Sequence, residues 1–157
     1  MGIFSFLFRK PVVIEDGFFG RLIQESCDFS ASRVCWYAKS VLFTPIGNTI
    51  MCMIDADGAG SLLAQCSFFK QFEELYPEVL PKIRLIVESE VQRMALDVPI
   101  IDFEMTHRLA GLTIPQLTSK PVKWELWFEP VDTQQWGYTV IVDMIDNIPQ
   151  AGIGISA

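Results

Sequence analysis

The stretch Lys123-Trp-Glu-Leu-Trp-Phe-Glu-Pro130 decides the fold, because its two sets of alternating side chains differ in character. One set is entirely apolar and comprises Trp124, Leu126 and Phe128. The other set comprises Lys123, Glu125, Trp127 and Glu129. A period of two is typical of an antiparallel strand with one buried face. The stretch therefore predicts such a strand, with Trp127 on its outward side, where the indole is either exposed or covered by a helix or loop.

Further strands are predicted on both sides of this stretch. After a turn at residues 132–137, residues 138–144 repeat the same alternation. Upstream, residues 103–109 have strand character, which residues 112–114 continue. The apolar, glycine-containing tail at 148–157 would add a short edge strand. Three or four strands are thus expected in the second half of the chain.

The first part of the chain predicts three more strands. Residues 18–29 and 34–43 flank Ser30-Ala31-Ser32, which has the composition of a short hairpin connection. A turn containing Pro45 and Gly47 leads to a third strand at residues 49–56. These three strands would form one antiparallel unit.

Two helices are predicted between the two groups of strands. Ser61 is a plausible N-cap for a run with apolar residues at helical spacing. Pro77 should end or kink this helix, because proline lacks the amide hydrogen that the helix needs. Pro81 suits the first turn of a second helix, which residues 97–99 would close. The sequence therefore separates residues 61–99 into two helices.

These elements predict an α+β domain with an antiparallel sheet of about six strands and two helices packed on one face. The expected order is three strands, two helices, and three or four strands. A single domain covers residues 1–157, of which residues 1–12 form an apolar N-terminal segment. This segment is expected to pack on the domain itself, and weak contact of residues 3–10 with a membrane surface is the alternative.

The net charge of −7 argues against nucleic acid as a partner, because nucleic-acid-binding proteins usually carry a basic surface. Residues 99–157 hold three Lys/Arg and seven Asp/Glu, so the acidic excess lies mainly in this third of the chain. A basic macromolecule would be steered towards it. No apolar run reaches the length of about 20 residues that a membrane span needs. A cytoplasmic location is expected.

The four cysteines and the single histidine indicate no metal or cofactor site. No Cys-x-x-Cys pair occurs, and His107 is distant in sequence from every cysteine, so no zinc-ligand spacing is present. If Ala31 centres the hairpin, Cys27 lies opposite Cys35. Free thiols are expected in a reducing compartment, and a disulfide is the alternative under oxidation. We predict an ordinary half-exposed His107 and no catalytic residue, although a dyad of this histidine with a cysteine stays open.

Asp55 and Asp57 would share one face at the end of the third strand. Paired carboxylates occur in magnesium sites, but Asp57 precedes Gly58 and also fits a strand-ending turn. The segment Gly58-Ala59-Gly60-Ser61 lacks the lysine of a phosphate-binding loop, so it is interpreted as a turn with a helix cap. A metal-dependent enzyme or small-ligand domain built on the two aspartates remains an alternative.

Three motifs resemble those of a group of small acidic bacterial proteins. These are Val13-Ile14-Glu15-Asp16-Gly17-Phe18-Phe19-Gly20-Arg21-Leu22, then Phe72-Glu73-Glu74-Leu75-Tyr76-Pro77 followed by Leu80-Pro81, and Trp124-Glu125-Leu126-Trp127-Phe128-Glu129. The resemblance extends over most of the chain. It implies an immunity protein, which protects a bacterium by binding a toxin, and it transfers no catalytic residue.

The leading hypothesis is therefore a binding protein without catalysis, which blocks a cognate bacterial toxin with a basic active-site surface. An exposed tryptophan among acids is a plausible anchor for such a partner. The candidate contact residues are Asp55, Asp57, Glu125, Trp127, Glu129 and Asp132. A self-associating scaffold is the second alternative, and the sequence leaves the oligomeric state open.

Overall fold

A computed structural model describes residues 12–26, 34–55, 62–94, 100, 102–118, 120–132 and 138–156. The strands are β1 (Val13–Asp16), β2 (Gly20–Ser26), β3 (Val34–Phe43), β4 (Asn48–Asp55), β5 (His107–Ile114), β6 (Lys123–Pro130), β7 (Thr139–Ile145) and β8 (Ile148–Ser156). The helices are α1 (Leu63–Met94) and the one-turn α2 (Phe103–Thr106), and a 3-10 turn covers Thr44–Ile46. None of the helices in these ranges is both long and apolar enough to cross a membrane.

The fold is mostly sheet, so the predicted α+β architecture with six antiparallel strands and two packed helices is wrong. One mixed sheet contains all eight strands in sequence order, and β4 pairs with β5 in parallel. The other neighbouring strands are antiparallel. The parallel pair follows from α1, because a helical crossover returns the chain to the sheet in the same direction.

An additional hairpin at the start of the sheet accounts for one strand that the sequence did not predict. The predicted strand at residues 18–29 begins instead with a turn at Gly17–Phe19, flanked by β1 and β2. Asp16 Oδ1 accepts hydrogen bonds from the amides of Phe18 and Phe19, both at 2.8 Å. Gly20 completes the reversal with a φ of +70°, which glycine adopts without steric strain.

The hairpin formed by β2 and β3 does not have the predicted register. The residue numbers of its paired positions add up to a sum that is smaller by two than the predicted one. Glu25, and not Cys27, lies opposite Cys35. Cys35 is disulfide-bonded, which contradicts the expectation of free thiols for this residue. Cys52 and Cys66 are free. Cys27, the fourth cysteine, lies outside the described residues.

The long helix α1 replaces the two helices predicted on either side of Pro77. Pro77 and Pro81 both lie inside α1, and both are exposed. Because they are four residues apart, they share the solvent face, where water can bind the carbonyl groups that lose their partners. The apolar face continues past them without interruption, and packing therefore overrides the local preference for a break.

This arrangement predicts that proline removal stabilises the protein. Pro77→Ala is expected to raise the free energy of unfolding by about 1–2 kcal/mol, because alanine restores a helical hydrogen bond. The greater entropy of the unfolded chain offsets part of this gain. Urea unfolding followed by circular dichroism would measure the change. Glu78→Ala, at the neighbouring exposed position, should change stability by less than about 0.5 kcal/mol. A destabilised Pro77→Ala variant would contradict a continuous helix.

The tract at residues 103–109 contains a helical turn before its strand. Asp102 caps α2, since its side chain accepts a hydrogen bond from the Met105 amide at 3.3 Å. The Thr106 amide also bonds the Asp102 carbonyl at 3.1 Å. The strand β5 then begins at His107, later than predicted.

Both helices lie on the same face of the sheet, called the inner face here. Phe43 of β3 contacts Phe69 and Tyr76 of α1, with ring centroids 5.7 and 5.0 Å apart. Trp124 of β6 contacts Phe72 of α1 at 4.7 Å. These aromatic contacts form the centre of the core, and no helix in the described part of the chain packs on the opposite face of the sheet.

Candidate functional site

The face of the sheet opposite α1, called the outer face here, carries the side chains that alternate away from the core. On the central strands these are Tyr37, Met51, Met53, Thr113, Glu125, Trp127, Ile141 and Asp143, and all but the exposed Asp143 are half-buried. Their inner-face neighbours are buried almost completely. The alternation of core and half-exposed residues thus makes the outer face a broad surface of mixed polarity.

Trp127 lies at the centre of the outer face, across Gly111 of the adjacent strand. Gly111 is its register partner on β5, and a Cβ atom added there would stand 2.7 Å from Trp127 Cε3. The same Cβ would stand 2.9 Å from the Met51 carbonyl oxygen. The missing side chain at Gly111 therefore makes the space that the indole occupies.

An apolar row crosses the outer face through Trp127. Met51 pairs with Gly111 on one side of the indole, and Ile141 pairs with Trp127 on the other. The Tyr37 hydroxyl donates a hydrogen bond to Met51 Sδ. Aromatic and methionine side chains are enriched at protein interfaces. The row thus has the composition of an interface centre.

Carboxylates lie beside this row. Glu125 and Asp143 are direct partners across β6 and β7, and Glu125 Oε2 accepts a hydrogen bond from Trp127 Nε1 at 3.3 Å. A cavity of about 380 Å³ lies here, lined by both acids together with Thr113 and Lys123. Like charges directly opposite each other on two strands repel. A cation from a partner would relieve this repulsion.

Three of the predicted contact residues come together on one strand. Glu125, Trp127 and Glu129 project from the outer face of β6 and are half-buried. Glu129 stands at the far end, opposite Arg108. Trp127 is half-buried on this outward side, and none of the described helices covers it.

The remaining predicted residues lie farther away. Asp55 is the half-buried last residue of β4 on the same face, and β5 separates it from β6. Asp132 is exposed beyond the end of β6. Asp57 lies outside the described residues. The structure therefore places Asp55 and Asp132 at two borders of the face and does not bring them to Trp127.

Sequence reasoning did not select Asp143, Gly111, Met51 and Tyr37 as site residues. Asp143 had a detectable signal, since it is the charged outward residue between the buried Val142 and Met144. The other three show no signal in isolation. Their position beside Trp127 depends on the register of strands that are distant in sequence.

His107 is buried, with 4% of its surface exposed, so the prediction of a half-exposed histidine is wrong. Its ring stacks on Phe103 with centroids 5.3 Å apart, and its Nδ1 lies 3.0 Å from Thr106 Oγ1. Burial lowers the pKa of His107, while a hydrogen bond with the backbone of Tyr138 opposes this shift. The imidazole is therefore neutral at pH 7.

The lowered pKa of His107 predicts a loss of stability in acid. In the unfolded chain His107 binds a proton with a midpoint of about pH 6.5, and in the folded chain it does so only at lower pH. The contribution of neutral His107 to the free energy of unfolding is therefore complete above about pH 6.5 and declines as the pH falls. His107→Gln should lose less stability than wild type between about pH 8 and about pH 5. Proton NMR of this sole histidine gives a direct measurement, and a midpoint at or above about 6.5 would contradict the burial.

Catalytic and metal chemistry gain no support from the described residues. Burial raises the pKa of Cys52 and also that of Cys66, where the charge of Asp16 adds to the effect. A nucleophilic cysteine needs the opposite shift. The described ranges contain no group of three His, Cys, Asp or Glu residues arranged to hold a metal ion. The alternative built on Asp55 and Asp57 and the self-associating scaffold stay hypotheses.

Comparison of the chain with protein-family models, with curated proteins and with solved structures gave no match.

Proposed function

We propose that this chain is an immunity protein that binds a bacterial toxin through the outer face and blocks its active site. The toxin would present a basic surface, and the chain would contribute no catalytic step. The motif resemblance described above motivates this class of function, and the composition of the outer face supplies the physical support.

The position of Trp127 is the observation that carries the proposal. Its indole is half-buried at the centre of a face without a described helix, between Met51 and Ile141. Residues that dominate binding energy are typically tryptophan, tyrosine or arginine near the middle of an interface. Because Gly111 and the hydrogen bond to Glu125 hold the indole in place, little side-chain entropy would be lost on binding.

Charge supports a basic partner. The chain carries a net charge of −7, and Glu125 and Asp143 face each other beside Trp127. Complementary charge mainly raises the association rate, and added salt screens it. Trp127 is therefore expected to slow dissociation of the toxin, and Glu125 and Asp143 are expected to speed its association.

The proposal expects a toxin gene beside the gene of this chain, and the toxin domain that such a gene would encode is the partner in the test. Co-expression of wild type with that domain should restore growth of a sensitive bacterium, and Trp127→Ala should abolish protection. Purified Trp127→Ala should bind the toxin at least about 30-fold more weakly, which corresponds to about 2 kcal/mol. The double variant Glu125→Gln/Asp143→Asn should lower the association rate and its dependence on salt.

Leu85→Ala is the matched control, because Leu85 is 65% exposed on α1, away from the outer face. It should protect cells as well as wild type does. Thermal unfolding of each variant would verify that the fold persists. Failure of wild type to protect, or full protection by a folded Trp127→Ala variant, would refute the proposal.

A further inference from the structure

The parallel pair of strands at the centre of the sheet is joined over only half its length. β4 and β5 pair from Met51 to Ile54 and from Gly111 to Ile114. Residues 48–50 of β4 pair only with β3 on their other side, and residues 107–109 of β5 pair only with β6. The first halves of the two strands therefore part and form a fork.

Two bulges mark the point where the fork begins. In β3 the register shifts between Ala38 and Val41, which places Lys39 and Ser40 opposite Met51. In β5 the register shifts between Leu109 and Gly111, and Gly111 is the residue that pairs with Met51. Bulges redirect side chains and end strand pairing, and they are frequent beside binding sites.

Cavities lie on both sides of the fork. One of about 300 Å³ lies on the inner side, and one of about 520 Å³ lies on the outer side. Asn48, Arg108 and Leu109 line both cavities, so the two adjoin at the fork. Ligand sites in proteins typically measure about 300–1,000 Å³.

The inner cavity is apolar and aromatic at its base. Tyr76, Phe103 and Phe128 line it and are almost fully buried. Phe103 and Phe128 meet edge to face, with centroids 5.0 Å apart, and the ring of His107 stacks on Phe103. Since the base is closed by packed rings, it suits a compact apolar group better than a passing peptide strand.

The entrance carries positive charge. Lys39 and Arg108 line the outer cavity and are both exposed. Neither forms an ion pair within 4.0 Å with any residue in the described part of the chain. Glu129 also lines the outer cavity, and it lies opposite Arg108. At the inner cavity, Glu104 forms an ion pair with Arg84 at 3.6 Å. Two cations against one unpaired acid favour an anionic ligand.

We propose that the fork between β4 and β5 binds a small organic carboxylate with an aromatic body. The carboxylate would contact Arg108 and Lys39, and the aromatic group would occupy the cavity lined by Tyr76, Phe103 and Phe128. Trp127, Glu125 and Asp143 line neither cavity, so this site can be tested separately from the proposed function, although Tyr37, Met51 and Glu129 line the outer cavity and also lie on the outer face.

Isothermal titration calorimetry with 2-naphthylacetate tests the site, and the neutral 2-naphthylacetamide isolates the role of charge. The carboxylate should bind with a stoichiometry of one. Arg108→Gln should weaken its binding about tenfold or more, since hydrogen bonds between charged groups are the strong ones. Lys39→Gln should weaken it less, and neither change should affect the amide by more than about twofold.

Lys123→Gln is the matched control, because it removes the same charge from the other cavity of the outer face. It should leave binding unchanged. Ile46→Trp, at the rim of the inner cavity, should weaken the carboxylate and the amide alike. Absence of saturable binding, equal weakening by Lys123→Gln, or binding that Ile46→Trp leaves intact would overturn the proposal. Binding of an extended peptide without binding of the carboxylate would overturn it too.

Discussion

Replacing Phe43 with alanine is expected to lower the free energy of unfolding by about 3–5 kcal/mol, the usual loss for a large buried aromatic residue. Phe43 is fully buried, and its ring contacts those of Phe69, Phe72 and Tyr76 at 5.7, 5.8 and 5.0 Å. These contacts join β3 to the first half of α1. Removal of the ring leaves a cavity that the surrounding rings cannot fill without breaking their own contacts.

The preceding residue provides the control for this measurement. Leu42 has the opposite parity on β3 and is 61% exposed. Leu42→Ala should therefore change the free energy of unfolding by less than about 0.5 kcal/mol in the same urea titration. Similar losses for the two variants would contradict the assignment of inner and outer sides on β3.

The second large effect is expected at Gly111, where alanine should destabilise the protein by about 2–3 kcal/mol through overpacking. The added Cβ would meet the Trp127 ring at 2.7 Å and the Met51 carbonyl oxygen at 2.9 Å. The indole can move, but the carbonyl belongs to the backbone of the neighbouring strand. The parallel pairing of β4 with β5 would therefore have to shift.

Gly17→Ala is the control for Gly111→Ala. Gly17 has open space around its Cβ position and does not require a positive φ, so alanine should change stability by less than about 0.5 kcal/mol. Thermal unfolding of both variants gives the comparison. A neutral Gly111→Ala variant would show that Trp127 does not lie against the backbone of β5.

Alternation along the chain was sufficient to predict β6 and β7. Residues 123–130 and 139–145 form β6 and β7 almost as predicted, and the apolar tail forms the edge strand β8. In β6 and β7 one face contacts the core, so the period of two is imposed by burial. The alternation lies within each strand, so it can be recognised from the sequence of that strand alone.

The elements that sequence reasoning missed depend on contacts between distant residues. Pro77 is tolerated inside α1 because the buried face of the helix continues on both sides of it. The parallel pairing of Met51 with Gly111 joins segments separated by the whole of α1. Neither feature has a local pattern, which is why a broken helix and an all-antiparallel sheet were predicted.

The candidate site likewise combines features that follow from a local sequence pattern with features that depend on contacts between distant residues. The outward direction of Glu125, Trp127 and Glu129 follows from parity on β6 alone. Their partners Gly111 and Asp143 are set by strand register, and the fork at β4 depends on two bulges. A single sequence contains no direct signal for such pairings.

Hydroxyl-radical footprinting of a complex with the toxin domain that the proposal expects a neighbouring gene to encode tests most directly whether the outer face is the binding surface. Trp127, Met51 and Tyr37 are three oxidisable reporters on this face, and Met105, which is 75% exposed on α2, is the internal control. We expect the toxin to reduce oxidation of the three outer-face residues and to leave Met105 unchanged. Unaltered oxidation of Trp127 in a saturated complex would contradict the central claim.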